Sequence, residues 1–251
     1  MELRSMRPWG LHKAVLNMRM RTLVIGDIHG CLTALEGVLD LARPAKADWI
    51  ITLGDYVDRG PDSKGVLNRL LRLDRTNQLV PLLGNHDQLF LDARAPQFDV
   101  RQWLSVGGVA TLASYHQNIA HAFDSVPASH WDFLENRCRL YWEAENHFFV
   151  HGSVDSILPL SVQRPEELLW ARVTNSRPHC SGKTMICGHT AQKSGLPLIL
   201  PHAICIDTWV FGDGWLTCFD LEAGLFYQAR EDGQKRTLTL LEAAEMAVML
   251  D

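Results

Sequence analysis

Nowhere do the 251 residues string together the roughly 18 apolar side chains that a membrane-spanning helix needs, so no membrane association is expected. Basic residues are not in excess. Lys and Arg number 24 against 29 Asp and Glu, a net charge of −5, which leaves no electrostatic footprint for a nucleic-acid polymer. The six cysteines, at 31, 138, 180, 187, 205 and 218, contain no C-x-x-C pair. Cys187, Cys205 and Cys218 lie inside apolar runs, where cysteine acts as a small hydrophobe. That usage fits a reducing compartment, and a cytoplasmic location is the expectation. The first 20 residues carry Arg4, Arg7, Lys13 and Arg19 against Glu2 but lack the apolar core of a secretory signal. They read as an N-terminal extension, with a start at Met18 or Met20 favoured over an organellar leader. No repeat, low-complexity tract or linker interrupts the rest, so residues 21–251 are expected to form a single domain.

What is present is a regular alternation. Short apolar runs at 21–26, 49–53 and 79–83 have the length and bounding glycines of buried strands. Between them, apolar residues at 32, 35, 38, 39 and 41, then at 66, 67, 70, 71 and 73, follow helical spacing. This β-α-β-α-β order predicts parallel strands covered by helices, an α/β fold. Residues from about 90 to 142 read as helical and aromatic, a small cap. Strands are expected again at 147–150, 184–187, 203–206, 215–221 and 225–229, and a last helix at 240–249.

Five segments carry the chemistry: Gly26-Asp27-Ile28-His29-Gly30, Gly54-Asp55-Tyr56-Val57-Asp58-Arg59-Gly60, Gly84-Asn85-His86-Asp87, His151-Gly152 and Gly188-His189-Thr190. The first three follow apolar strands, at the strand ends where open α/β sheets bind ligands. Taken singly, Asp27 reads as a turn residue, and His151 or His189 as a satisfied core histidine. Five such segments in order, each beside glycine, are poorly explained as independent structural accidents. A mixed Asp, Asn and His donor set suits manganese, iron or zinc better than calcium. Two such ions about 3.5–4 Å apart would share a bridging carboxylate.

The segments resemble the signature of the phosphoprotein phosphatase family within the calcineurin-like metallophosphoesterases: Gly-Asp-x-His-Gly, Gly-Asp-x-Val-Asp-Arg-Gly, Gly-Asn-His-Glu, His-Gly and Gly-His. The likeness spans about residues 22–220 and is most specific at residues 54–63. It implies a sandwich of mixed β-sheets flanked by helices, with a small helical cap. It implies two divalent ions, manganese foremost and iron or zinc also compatible. Asp27, His29 and Asp55 would hold one ion, and Asp55, Asn85, His151 and His189 the other. His86 would protonate the leaving oxygen, oriented by Asp58. Arg59 and Arg172, the latter in Leu-Leu-Trp-Ala-Arg, would grip phosphate oxygens. Hydrolysis would proceed by direct attack of a metal-bridging hydroxide, without a phosphoenzyme.

Two branches of the family fit. Val57-Asp58-Arg59 resembles the serine/threonine protein phosphatases, whereas Asp87, where Glu is usual, resembles the symmetrical dinucleoside tetraphosphatases and several small bacterial phosphatases. A phosphoserine alkoxide needs a proton more than a departing nucleotide does, which ranks a phosphoprotein substrate first. Trp103-Leu104, Gly107-Gly108 and Thr111-Leu112 resemble bacterial members of both branches. They are placed in the cap near the mouth of the site, as substrate contacts or as helix packing. Trp209 stands where relatives place glycine. With Phe211 it would overhang the metals as an apolar wall or stack on a base, or simply pack its loop. An inactive metal-holding module is the third reading, opposed by the completeness of the Asp58, Arg59 and His86 set.

Overall fold

The computed structural model describes residues 20–249; the extension read over residues 1–20 lies, Met20 apart, outside the described residues. In chain order the strands are β1 (Thr22–Ile25), β2 (Trp49–Thr52), β3 (Gln78–Pro81), β4 (Tyr141–Glu143), β5 (His147–Val150), β6 (Thr184–Cys187), β7 (Leu198–Leu200), β8 (Ala203–Cys205), β9 (Leu216–Asp220), β10 (Leu225–Ala229) and β11 (Lys235–Thr239). The α-helices are α1 (Leu32–Ala42), α2 (Ser63–Thr76), α3 (Asn85–Asp92), α4 (Val100–Trp103), α5 (Val109–Tyr115), α6 (Ala128–Asp132), α7 (Pro165–Trp170) and α8 (Leu240–Val248).

One sheet has the order β11-β10-β9-β1-β2-β3 and the other β4-β5-β6-β8-β7. Each has a parallel trio, β1-β2-β3 and β5-β6-β8; antiparallel strands continue the first on its β1 side and flank the second on both sides. Strand alternation sends neighbouring side chains to opposite faces and so divides the core. Val24, Ile51 and Val80 meet Phe149, Ile186 and Ile204 of the other sheet. Leu23, Ile25 and Ile50 instead meet Leu35 and Val38 of α1 and Leu67 and Leu70 of α2. Phe148, Met185 and Cys187 face outward on the second sheet, where Leu168 of α7 covers them. Both trios are buried on two faces, which is why they read as unbroken apolar runs. The helix starts are local. Asp62 caps α2 by accepting the Gly65 amide at 2.7 Å, and Thr239 and Glu242 form a reciprocal capping box on α8.

The helical reading of 90–142 needs correction at its end. Residues 85–137 are largely helical, but Tyr141–Glu143 is an edge strand on β5. In the cap, α6 presents a fully buried His130 between the Tyr115 hydroxyl (2.7 Å) and the Asn68 side-chain carbonyl (3.1 Å). Burial, with some help from the Lys64 charge, pushes this imidazole down to about 4. Unfolded, the ring takes its proton near 6.5. Between those values the unfolded chain binds more protons, so stability present above 6.5 is lost as pH falls toward 4. Urea midpoints are therefore expected to drop between pH 7 and pH 5, and His130→Gln to make that drop smaller. An equal drop in the variant would show that the ring does not carry the effect.

Candidate metal centre

All six parallel strands deliver a polar residue to one end of the sandwich. Asp27 and His29 follow β1, Asp55 follows β2, Asn85 follows β3, His151 follows β5, His189 follows β6 and Asp207 follows β8. All are buried except His189, which is partly exposed. The flanking glycines have a steric reason. A Cβ at Gly84 would sit 2.1 Å from an Asp55 carboxylate oxygen, and one at Gly188 would sit 2.0 Å from Asp27. The backbone is also unusual here. Among the described residues, five of the seven non-glycine positions with positive φ are His29, Asp55, Asp58, Arg59 and His189.

The geometry brings the expected metal ligands together. Asp27, Asp55 and His151 form one group of donors within 4.8 Å of one another; His29, Asp55 and His86 form a second, and Asp55 belongs to both. A neutral imidazole has one N–H, and backbone carbonyls claim it three times. His29 Nδ1 donates to Val57 (2.9 Å), His151 Nδ1 to Leu53 (2.9 Å) and His189 Nε2 to Trp170 (3.1 Å). Such bonds fix the tautomer and aim the other nitrogen as a ligand. His151 Nε2 and His189 Nδ1 then each lie 2.9 Å from Asn85 Oδ1. With both rings neutral, these three lone pairs converge on one point with no proton between them. A shared cation satisfies that arrangement, and the donor set fits one.

The electrostatics agree. Burial lifts Asp27 well above the carboxylate range, with the Asp207 and Asp55 charges adding to it. Burial raises Asp207 to about 6. Burial also opposes ionisation of Asp55, but His151, His86 and His29 outweigh it and hold the group below its ordinary value. Burial lowers His29 and His151, and takes His189 to about 4. A dication bound there would favour the ionised forms of Asp27 and Asp207 and would use the neutral imidazoles that burial already favours. Asp207, overlooked in the sequence, obeys the same strand-end rule that singled out Asp27 and Asp55.

Beside the ligands lies an acid–base arrangement. Asp58 Oδ2 is 2.7 Å from His86 Nδ1, so the ring is held with Nε2 toward the cleft. Asp58 is itself held by Trp103 Nε1 at 2.9 Å and by the Thr111 hydroxyl at 2.7 Å. Burial raises the Asp58 carboxyl against these donors. The cap segment thus does more than pack helices: Trp103 and Thr111 fix Asp58, and Val106 lines the cleft. Gly107, at φ 127°, belongs to the same support, accepting the Arg59 amide at 3.3 Å. The Arg59 guanidinium donates to His86 Nε2 at 2.8 Å and His29 Nε2 at 3.1 Å, and stacks 4.2 Å over Phe211. Asp87 faces away. Its carboxylate accepts the amides of Tyr56, Val57 and Gly84, tying the second and third motifs together.

The cleft holds about 320 Å³ and is lined by Asp55, Arg59, Asn85, His86, Trp170 and Arg172, among others. Trp209 is not brought to it. Its ring packs edge-on to Phe211 under Lys193. Of these two loop aromatics Phe211 is the one that reaches the site residues, 5.0 Å from the His29 ring. A further hollow of about 520 Å³, between Trp49 and Trp142, contains none of these donors.

The sequence matches the family described as calcineurin-like phosphoesterase over residues 20–213. It is 32% identical over 222 residues to serine/threonine-protein phosphatase 1 of Salmonella typhimurium, covering 84% of this chain and 97% of that protein. Over 70 residues it is 49% identical to the symmetrical bis(5'-nucleosyl)-tetraphosphatase of Edwardsiella ictaluri, a match to 27% of this chain and 24% of that protein. Among solved structures, a putative diadenosine tetraphosphatase has a TM-score of 0.61 at 22% identity, covering 88% of this chain and 94% of that one. At that identity the likeness speaks to the fold.

Proposed function

The chain belongs to the calcineurin-like phosphoesterase family, and on that premise we propose that it removes phosphate from phosphoserine and phosphothreonine in proteins. The Asp58–His86 pair carries the reading. A serine or threonine alkoxide is a poor leaving group, and a ring held by a buried carboxylate, with one nitrogen toward the cleft, is built to protonate it. The near full-length match to a serine/threonine-protein phosphatase supports the same choice.

Asp27, His29 and Asp55 would hold one divalent ion, and Asp55, Asn85, His151 and His189 the other, with manganese the first choice for this donor set. Two ions bound there would lower the pKa of a shared water and neutralise phosphoryl oxygens. The chain's own residues do the rest. Arg59 has only donors, so in the resting geometry His86 Nε2 accepts from it. A phosphoryl group entering the cleft draws the guanidinium onto its oxygens and frees Nε2 to carry the proton. Arg172, which also lines the cleft, would add a second planar fork. Phe211 shields the Arg59 and His29 side of the cleft.

A symmetrical dinucleoside tetraphosphatase is the second reading, favoured by the local identity to the Edwardsiella enzyme. Asp87 lends it no contact argument, since that side chain is buried among backbone amides. The test is a paired assay with added manganese, a phosphothreonine peptide against a dinucleoside tetraphosphate. A higher kcat/KM on the peptide is expected. The reverse order would hand the function to the second reading, and no turnover of either would return the chain to a metal-holding module.

A further inference from the structure

The cleft does not end at its rim. Trp170 and Arg172 also line an adjoining hollow of about 600 Å³, whose other walls include Ser153, Ser156, Asn175 and Arg177. Two acids line it as well. Glu167 pairs with Arg164 at 2.7 Å, and Asp155 accepts the Ile157 amide at 3.1 Å. Among the described residues, neither the Arg172 nor the Arg177 guanidinium has a hydrogen-bond or carboxylate partner, whereas those of Arg21 and Arg137 are held by aspartates. Yet the turn that presents them is fixed. The buried Val173 gives its amide to Thr190 Oγ1 at 3.2 Å, and Ser176 Oγ bonds His202 Nε2 at 3.0 Å. Two exposed guanidinium groups without a carboxylate partner, carried on an anchored turn, offer an anion two planar forks.

We propose that this hollow is a second anion subsite continuous with the catalytic cleft, and that Arg177 is its specificity-determining residue, selecting substrates with a further negative group beside the scissile phosphoryl. The inference rests on the phosphoester reading above. The second group would be a carboxylate next to the phosphorylated residue of a peptide, or the further phosphates of a polyphosphate ester.

The experiment compares kcat/KM ratios in wild type, Arg177→Gln and Arg177→Lys, with manganese present. One ratio sets a phosphothreonine peptide with acidic neighbours against its alanine counterpart. The other sets a dinucleoside tetraphosphate against p-nitrophenyl phosphate. Arg177→Gln is expected to lower one ratio by about tenfold, mainly through KM, with partial recovery in Arg177→Lys. Which ratio falls identifies the source of the second charge. A purely structural role would move numerator and denominator together, so unchanged ratios in both arms overturn the proposal. Calorimetry of inorganic tripolyphosphate against orthophosphate is read alongside. Tripolyphosphate should bind Arg177→Gln about tenfold more weakly than wild type, with orthophosphate following it far less. Equal loss for both anions overturns the subsite even if no substrate turns over. Absent turnover with an Arg177-dependent tripolyphosphate preference would sink the phosphatase reading and leave the subsite standing.

Discussion

Asp55→Asn is expected to lose metal and activity together. Asp55 alone belongs to both donor groups, with one oxygen 3.4 Å from His29 Nε2 and the other 3.5 Å from His151 Nε2. The substitution is almost isosteric. It removes the charge and turns one oxygen into a donor that a cation cannot use. Metal content by elemental analysis should fall to less than half of the wild-type value. Turnover should fall about 10³-fold or more, a barrier increase of about 4 kcal/mol. The His86 backbone N–H donates to Asp55 Oδ1 at 2.9 Å, and an asparagine carbonyl accepts that hydrogen bond equally well, which is why the fold should survive. Wild-type metal content in the variant would refute a shared ligand at this position.

The second large effect separates proton transfer from metal binding. His86→Asn should retain metal and lower turnover of a phosphopeptide about 10²-fold or more. The deficit should shrink as the leaving group improves, so p-nitrophenyl phosphate should suffer less. Since Asp58 acts through His86, Asp58→Asn in the His86→Asn background should add little, as expected for residues working as one unit. Trp103→Phe, which removes one of the donors to Asp58, should reproduce part of the His86 defect with the same leaving-group trend. A defect independent of the leaving group would place His86 outside the proton-transfer step. Metal loss in His86→Asn would instead make it a ligand, a role its membership of one donor group makes worth excluding.

The parallel trios were legible because strands buried on both faces leave continuous apolar runs, as in Leu23-Val24-Ile25 and Phe148-Phe149-Val150. Strands at the margins were not. Lys235–Thr239 alternates exposed and half-buried residues at a sheet edge, Leu198–Leu200 is a short piece between Pro197 and Pro201, and Tyr141–Glu143 carries too little apolar sequence to separate from helix. The same division runs through the site. Asp27, His29, Asp55, Asn85, His151 and His189 announce themselves by following strands beside glycine. The grip of Trp103 and Thr111 on Asp58 joins residues 45 and 53 apart, and no local pattern encodes it. Trp209 and Phe211 are two residues apart on one loop, so composition could not say which ring turns inward. The backbone decides: Trp209 has φ 63°, and Phe211 lands against Arg59.

The left-handed backbone of His29, Asp55, Asp58, Arg59 and His189 has an evolutionary consequence. Non-glycine residues in that region are held at a cost of about 1 kcal/mol apiece, and native domains survive on net stabilities of only about 5–15 kcal/mol. A search for thermostable variants would therefore be drawn to these positions, where glycine relieves the backbone at once. Each such gain would delete a side chain to which the proposed function assigns metal binding, proton transfer or the phosphate grip. The most heat-resistant descendants of this chain should be found among its inactive ones, and robust active forms should owe their robustness to substitutions far from the strand ends.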